Sequence, residues 1–270
     1  MKTITATMLA ALAVAAGGHS RTPAADSGKP QYYELRIYST SSERQQRLVN
    51  DYWLNAAVPA YNRMGIRPIG VFTELADSAA SSVYVLIPFD TPDAYAAVPA
   101  GLAADPVYRE AAAGFMNVPK AEPAYERIES SVLVAFDGMK RLALPPSTAP
   151  PSTAPPLTAE KKPWIFELRN YWSHSESKGI NKVEMFNAGE IDLMREVGLC
   201  PVFFGQVVIG PKMPNMVYMV SAENREEHRK HWKGFGESPV WKKLINDPQY
   251  ADNVSNIISV FLKRTSASQI

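Results

Sequence analysis

Cysteine is almost missing from this chain: Cys200 is the only one in 270 residues, which excludes any intrachain disulfide even in an oxidising compartment. Stability must come from packing. Leu199 and Val202 flank Cys200 and no basic residue adjoins it, so its thiol is expected to be inert. Excess charge of either sign is missing too. With 28 Lys and Arg against 27 Asp and Glu the formal net charge is +1, which removes the field that draws a protein to nucleic acid or to an acidic membrane. No polyanion partner is expected. The chain also lacks a glycine-rich phosphate loop, a Gly-x-Ser-x-Gly elbow, a Cys-x-x-Cys pair and a His-Glu-x-x-His motif, so no motif calls for a cofactor.

Histidine is scarce, with four in the chain. His228 and His231 stand three apart on an expected helix, which would put both rings on one face. The surrounding Glu226–His231 stretch is charged or polar throughout, however, and the first half of the chain has Ala94 and Ala97 at the matching positions. Both histidines are therefore read as solvated, and no metal site is expected. His174 lies just past an expected strand and is the best lone candidate for acid or base work.

What is present begins with Met1-Lys2, an apolar stretch from Ile4 to Ala16, and then Gly17-Gly18-His19-Ser20. A basic start, an apolar core too short to span a bilayer and small residues suited to cleavage make residues 1–20 a secretory signal. The expected location is periplasmic or secreted, with no stable membrane insertion. Removing residues 1–20 takes Lys2 and no acid, leaving 27 basic and 27 acidic residues. Residues 21–30 read as a spacer.

The rest is a duplication. Glu34-Leu35-Arg36-Ile37-Tyr38 returns as Glu167-Leu168-Arg169-Asn170-Tyr171, an offset of 133 residues (167 − 34) that also carries Gly65 onto Gly198 and Pro68 onto Pro201. The two units, 31–137 and 164–265, are separated by a linker over 138–163. Its Pro145–Pro156 run holds six prolines and would span roughly 35 Å as polyproline II. In each unit the periodicity gives β-α-β-β-α-β. In the first, Tyr32–Tyr38 alternates as a strand, Glu43–Met64 is an amphipathic helix closed by Gly65, and two strands turn through Asp77–Ser81. Thr91-Pro92 then caps a second helix, and Ile128–Phe136 is the last strand. That order is the split βαβ, ferredoxin-like arrangement, an α+β fold with both helices on one sheet face. Pairing the bare faces of the two sheets would form a barrel. The linker allows this within one chain, or by exchange between two chains as a homodimer.

Along the first strand Leu35 and Ile37 point one way and Glu34, Arg36 and Tyr38 the other. If helices pack on the apolar side, the polar trio lines the barrel, joined there by Glu167, Arg169 and Tyr171. These six are the candidate substrate-binding residues, with pairing of each Glu to its Arg as the structural alternative. Trp53, Trp172, Trp232 and Trp241 are expected in the core.

The Tyr33–Tyr38 sequence, Tyr-Glu-Leu-Arg-x-Tyr, and its repeat at Phe166–Tyr171 resemble the opening of the NIPSNAP family. The Pro-Val-aromatic motifs around Val107 and Val240 are similar to it as well. The resemblance implies the dimeric α+β barrel superfamily, which includes cofactor-independent monooxygenases, isomerases and haem-handling proteins. Three functions follow: a protein holding a small apolar or aromatic molecule between its sheets; a cofactor-independent monooxygenase or isomerase using His174, Tyr38 or Tyr171; or a structural module whose barrel is filled by its own side chains. Duplication of the trio, where histidine is not duplicated, favours the first.

Overall fold

The computed structural model describes residues 28–75, 82–146 and 164–270. The expected signal, most of the spacer, the Asp77–Ser81 turn and most of the proline run lie outside those residues.

The first unit runs β1 (Tyr32–Ser39), α1 (Glu43–Tyr52), α2 (Val58–Arg63), β2 (Gly70–Glu74), β3 (Val83–Phe89), α3 (Pro92–Ala104), α4 (Pro106–Met116) and β4 (Arg127–Ala135). The second repeats it as β5 (Ile165–Trp172), α5 (Glu176–Met185), α6 (Ile191–Glu196), β6 (Cys200–Ile209), β7 (Asn215–Ala222), α7 (Arg225–Glu237), α8 (Pro239–Ile245) and β8 (Asn256–Arg264). Side chains start the helices. Ser42 accepts from the Gln45 amide, Thr91 from Ala94, Ser175 from Lys178 and Asn224 from Glu226 and Glu227.

One feature escaped the periodicity. The first helix of each unit is interrupted by a π-helical turn, Trp53–Ala57 and Phe186–Glu190, 133 residues apart. The extra residue in such a turn shifts the helix face that follows, and such turns are frequent at functional sites.

All neighbouring strands are antiparallel, in the order β1-β3-β2-β8-β5-β7-β6-β4, which closes into one barrel. The units meet through β2 with β8 and β4 with β6, so the barrel forms within a single chain. After β8 the chain returns to the first unit, where the Thr265 amide bonds the Val71 carbonyl at 3.0 Å and the Gln269 amide that of Ile69 at 2.8 Å. No helix of the described residues is long and apolar enough to cross a membrane.

The strand faces reverse the sequence expectation. Tyr33, Leu35, Phe72, Leu86, Phe166, Leu168, Phe203, Met219 and Leu262 form a single cluster inside the barrel, drawn from both units. An eight-stranded barrel has an interior about wide enough for its own side chains, and the apolar face of each sheet supplies them. Glu34, Arg36 and Tyr38, with Glu167, Arg169 and Tyr171, therefore face the helices and not the barrel interior. The helices accept them because they bring partners: Trp53 under Arg36, and His228 and Trp232 beside Glu167 and Arg169. Two further cores lie between sheet and helices, one around Trp53 and Val85, the other around Phe186, Phe204 and Tyr218.

Gly65 and Gly198 end the first helices at φ 79° and 89°. A Cβ on Gly65 meets nothing within 4 Å, whereas one on Gly198 would lie 2.9 Å from His231 Nε2. In urea unfolding Gly65→Ala is expected to cost about 1–2 kcal/mol from backbone strain alone. Gly198→Ala should cost about 1 kcal/mol more through the clash. Equal losses would refute the difference.

Candidate functional site

In the first unit Arg36 grips Glu34 with two bonds, Nε to Oε1 at 2.9 Å and Nη2 to Oε2 at 3.1 Å, and Ser130 Oγ donates to Oε1 at 2.6 Å. The guanidinium lies 5.9 Å from the Trp53 ring centre. Burial works against its charge, yet Glu34, Tyr38 and Tyr61 outweigh that and raise its pKa. Tyr52 stacks on Phe115, centroids 4.2 Å apart. Tyr38, Tyr52, Trp53 and Tyr61 belong to one buried cluster here.

The second unit is built differently. Arg169 Nη1 meets Glu167 Oε1 at 2.9 Å, and Glu167 Oε2 takes bonds from His228 Nε2 at 2.8 Å and from the Trp232 indole at 3.0 Å. A carboxylate can only accept, so His228 carries its proton on Nε2. The solvated position expected for His228 is thus corrected: it is buried, 5% exposed, on the inner side of α7. Arg169 sits 4.8 Å from the Trp232 ring centre and 5.4 Å from that of Tyr171, and its buried Nε has no hydrogen-bond partner among the described residues.

Burial pushes the Glu167 carboxyl up, but His228 and Arg169 pull harder and hold it below its ordinary 4.5. A carboxyl lowered on folding stabilises above its unfolded value and loses that contribution as pH falls through the folded one. The stability advantage of the native protein over Glu167→Gln should therefore shrink on acidification below about pH 4.5. Parallel stability–pH curves for the two would refute this.

Behind Arg169 lies a pair that periodicity did not single out. Lys182 Nζ and Glu190 Oε1 are 2.5 Å apart, both residues at most 3% exposed. Burial drives the Glu190 carboxyl upward, with Lys182 opposing. The ammonium is ringed by Phe186 at 4.7 Å and by Tyr171 and Trp241 at 5.8 Å. Tyr171 and Tyr218 share a 3.1 Å bond between hydroxyls, and burial raises both phenols.

These groups open onto a cavity of about 570 Å³ between sheet and helices, whose wall includes Arg169, Tyr171, Lys182, Glu190, Trp232 and Trp241. Trp232 and Trp241 are thus cavity wall, whereas Trp53 is core as expected. At the 133-residue offset the first unit has Val49 for Lys182, Ala57 for Glu190 and Val85 for Tyr218. The units have diverged here: the first has Val and Ala where the second carries a buried ion pair beside a cavity. The space between the sheets is mostly filled; a recess of about 180 Å³ remains at one end, bounded by Ile37, Asn170, Trp172 and Asn215.

Of the six candidate binding residues, Arg169 and Tyr171 line the large cavity and Glu167 holds Arg169 from behind. Glu34, Arg36 and Tyr38 belong to the other unit and line neither space. His174 is exposed in the loop after β5 and lines neither. Cys200 is half-buried, its thiol pushed up by burial and by Glu223. Among the described residues no three His, Cys, Asp or Glu side chains group to hold a metal. Lys182 and Glu190 had a sequence signal: charges in one repeat where the other has Val and Ala.

None of the curated proteins matches this chain. Among solved structures it is similar to a Fusobacterium nucleatum protein described as a "putative monooxygenase", with 8% identity and TM-score 0.54 over 87% of this chain and 93% of that one. A Lactobacillus acidophilus protein described in the same words gives 8% and 0.53 over 87% and 94%. At such identities the likeness is one of fold. An uncharacterised NIPSNAP-like domain protein from Burkholderia xenovorans is 17% identical, with TM-score 0.33 over 37% of this chain and 83% of that one. The NIPSNAP family model matches residues 33–137 and again 166–269, both halves of the barrel, and the chain is a member of the NIPSNAP family with two tandem domains.

Proposed function

We propose that this is an exported small-molecule-binding protein whose site is the cavity between sheet and helices of the second domain. The ligand is small, largely apolar or aromatic, and carries an oxygen that accepts from Arg169. One observation carries the reading: the second domain keeps a hollow of about 570 Å³, walled by aromatic rings and by a guanidinium with an unpartnered Nε. Cavities of this size with a few convergent polar groups are the usual form of a small-molecule site. The Arg169 guanidinium is the polar group on that wall placed to meet a ligand oxygen. The leader-like residues 1–20 support export, and the electroneutral remainder suits a site that selects by shape and local polarity.

A second reading, catalysis, is favoured by the hydroxyl pair of Tyr171 and Tyr218 beside Lys182 and Glu190, groups able to relay a proton. Native mass spectrometry of the protein after incubation with periplasmic extract tests the binding reading. A discrete added mass, released on denaturation and lost in Arg169→Met, is the expected result. A bare mass for the native protein sinks the reading and leaves a self-filled structural barrel.

A further inference from the structure

The geometry points to Lys182 as a nucleophile that condenses with an aldehyde or ketone entering the second-domain cavity, forming an imine at Nζ. This rests on that cavity being a ligand site and names the class of molecule it takes. Among the described residues Lys182 is the only buried lysine, and it lines the cavity. A lysine serving only to neutralise Glu190 would need no such opening. The first domain dispenses with both charges, having Val49 and Ala57, so the fold does not require the pair.

The surroundings suit each step. Glu190 Oε1, 2.5 Å from Nζ, is within reach to accept one proton from the ammonium. Burial raises the carboxyl, which brings the neutral amine and carboxylic acid closer in energy to the ion pair. The freed amine attacks the carbonyl carbon, a C–N bond forms, and the carbonyl oxygen takes the proton held by Glu190. Loss of the second nitrogen proton, carried through Glu190 to that oxygen, breaks the C–O bond and releases water. The iminium cation then faces the Glu190 carboxylate. Both protons shed by Nζ leave in the water, and no oxidant or reductant is consumed. The rings of Phe186, Tyr171 and Trp241 surround a cation before and after the reaction, and aromatic faces stabilise a desolvated cation.

The probe is 4-hydroxybenzaldehyde, incubated with the full chain at neutral pH. Native mass spectrometry without reductant separates a non-covalent complex from an imine, which is lighter by one water. Sodium cyanoborohydride then fixes the imine for peptide mapping. Lys182 is expected to be labelled at least tenfold faster than Lys233, whose side chain is 75% exposed. Labelling at Lys182 should vanish in Lys182→Arg, which keeps a cation for Glu190, and in the paired Lys182→Val, Glu190→Ala variant, which copies the first domain. A complex of full mass with no preference for Lys182 overturns the imine and leaves the binding reading standing. Neither complex nor label overturns the inference together with the binding reading for aromatic carbonyl ligands.

Discussion

Lys182→Met is expected to destabilise the protein by about 3–5 kcal/mol in urea unfolding at neutral pH, because it leaves the Glu190 carboxylate buried without its counter-ion. Glu190 is 2% exposed and its only salt bridge among the described residues is to Lys182, at 2.5 Å. Replacing both partners removes the orphan. Lys182→Val with Glu190→Ala recreates the Val49 and Ala57 pairing of the first domain and should recover most of the loss, since apolar replacement of a buried ion pair is often neutral or stabilising. The pH dependence of the single variant fixes the cause. Burial already raises the Glu190 carboxyl, and losing Lys182 removes the main influence opposing it. A carboxyl raised on folding binds its proton more tightly in the folded state, so stability falls as pH rises from the ordinary value of 4.5 through the raised one. The deficit of Lys182→Met should therefore be smallest in acid and fully developed above the raised value. A loss under about 1 kcal/mol, or a deficit independent of pH, would mean that water reaches Glu190 and the pair is not sequestered.

The same pair marks where the sequence stops being readable. Strand alternation, the Ser and Thr caps and the 133-residue offset are local or self-referential signals, so the split βαβ order and the tandem organisation follow from them. The facing of the trio did not, because it was argued from one sheet and one set of helices. Leu35 and Leu168 had two apolar layers to choose between, and closure of the barrel, a contact among strands far apart in sequence, decided for the interior. The helix layer could take Arg36 and Arg169 only because Trp53 and Trp232 arrive from elsewhere in the chain. His228 shows the same effect on a smaller scale. Its neighbours Glu227, Arg229 and Lys230 are polar, but a helix turns about 100° per residue, and one position in that run points down at Glu167. The π-helical turns have no periodic signature; each adds one residue to a turn, and the second carries Glu190, the partner of Lys182.

Arg36→Met and Arg169→Met should rank in opposite orders in two assays. Each removes a guanidinium two residues from a glutamate that is 3% exposed. Among the described residues Glu34 is left with Ser130 alone, whereas Glu167 keeps both His228 and Trp232. Stability should thus fall further in Arg36→Met, by about 3 kcal/mol or more, than in Arg169→Met, where roughly 1–2 kcal/mol is expected. Ligand capture reverses the order. Arg36 packs on Trp53, lines neither the large cavity nor the recess between the sheets and should be silent, while Arg169 lines the large cavity, and its loss should weaken capture by about ten- to a hundredfold. If either arginine acted on capture only through folding, both assays would rank the two variants in the same order. The crossing of the two ranks therefore separates a working cavity in the second domain from a packing defect, whatever molecule the cavity holds.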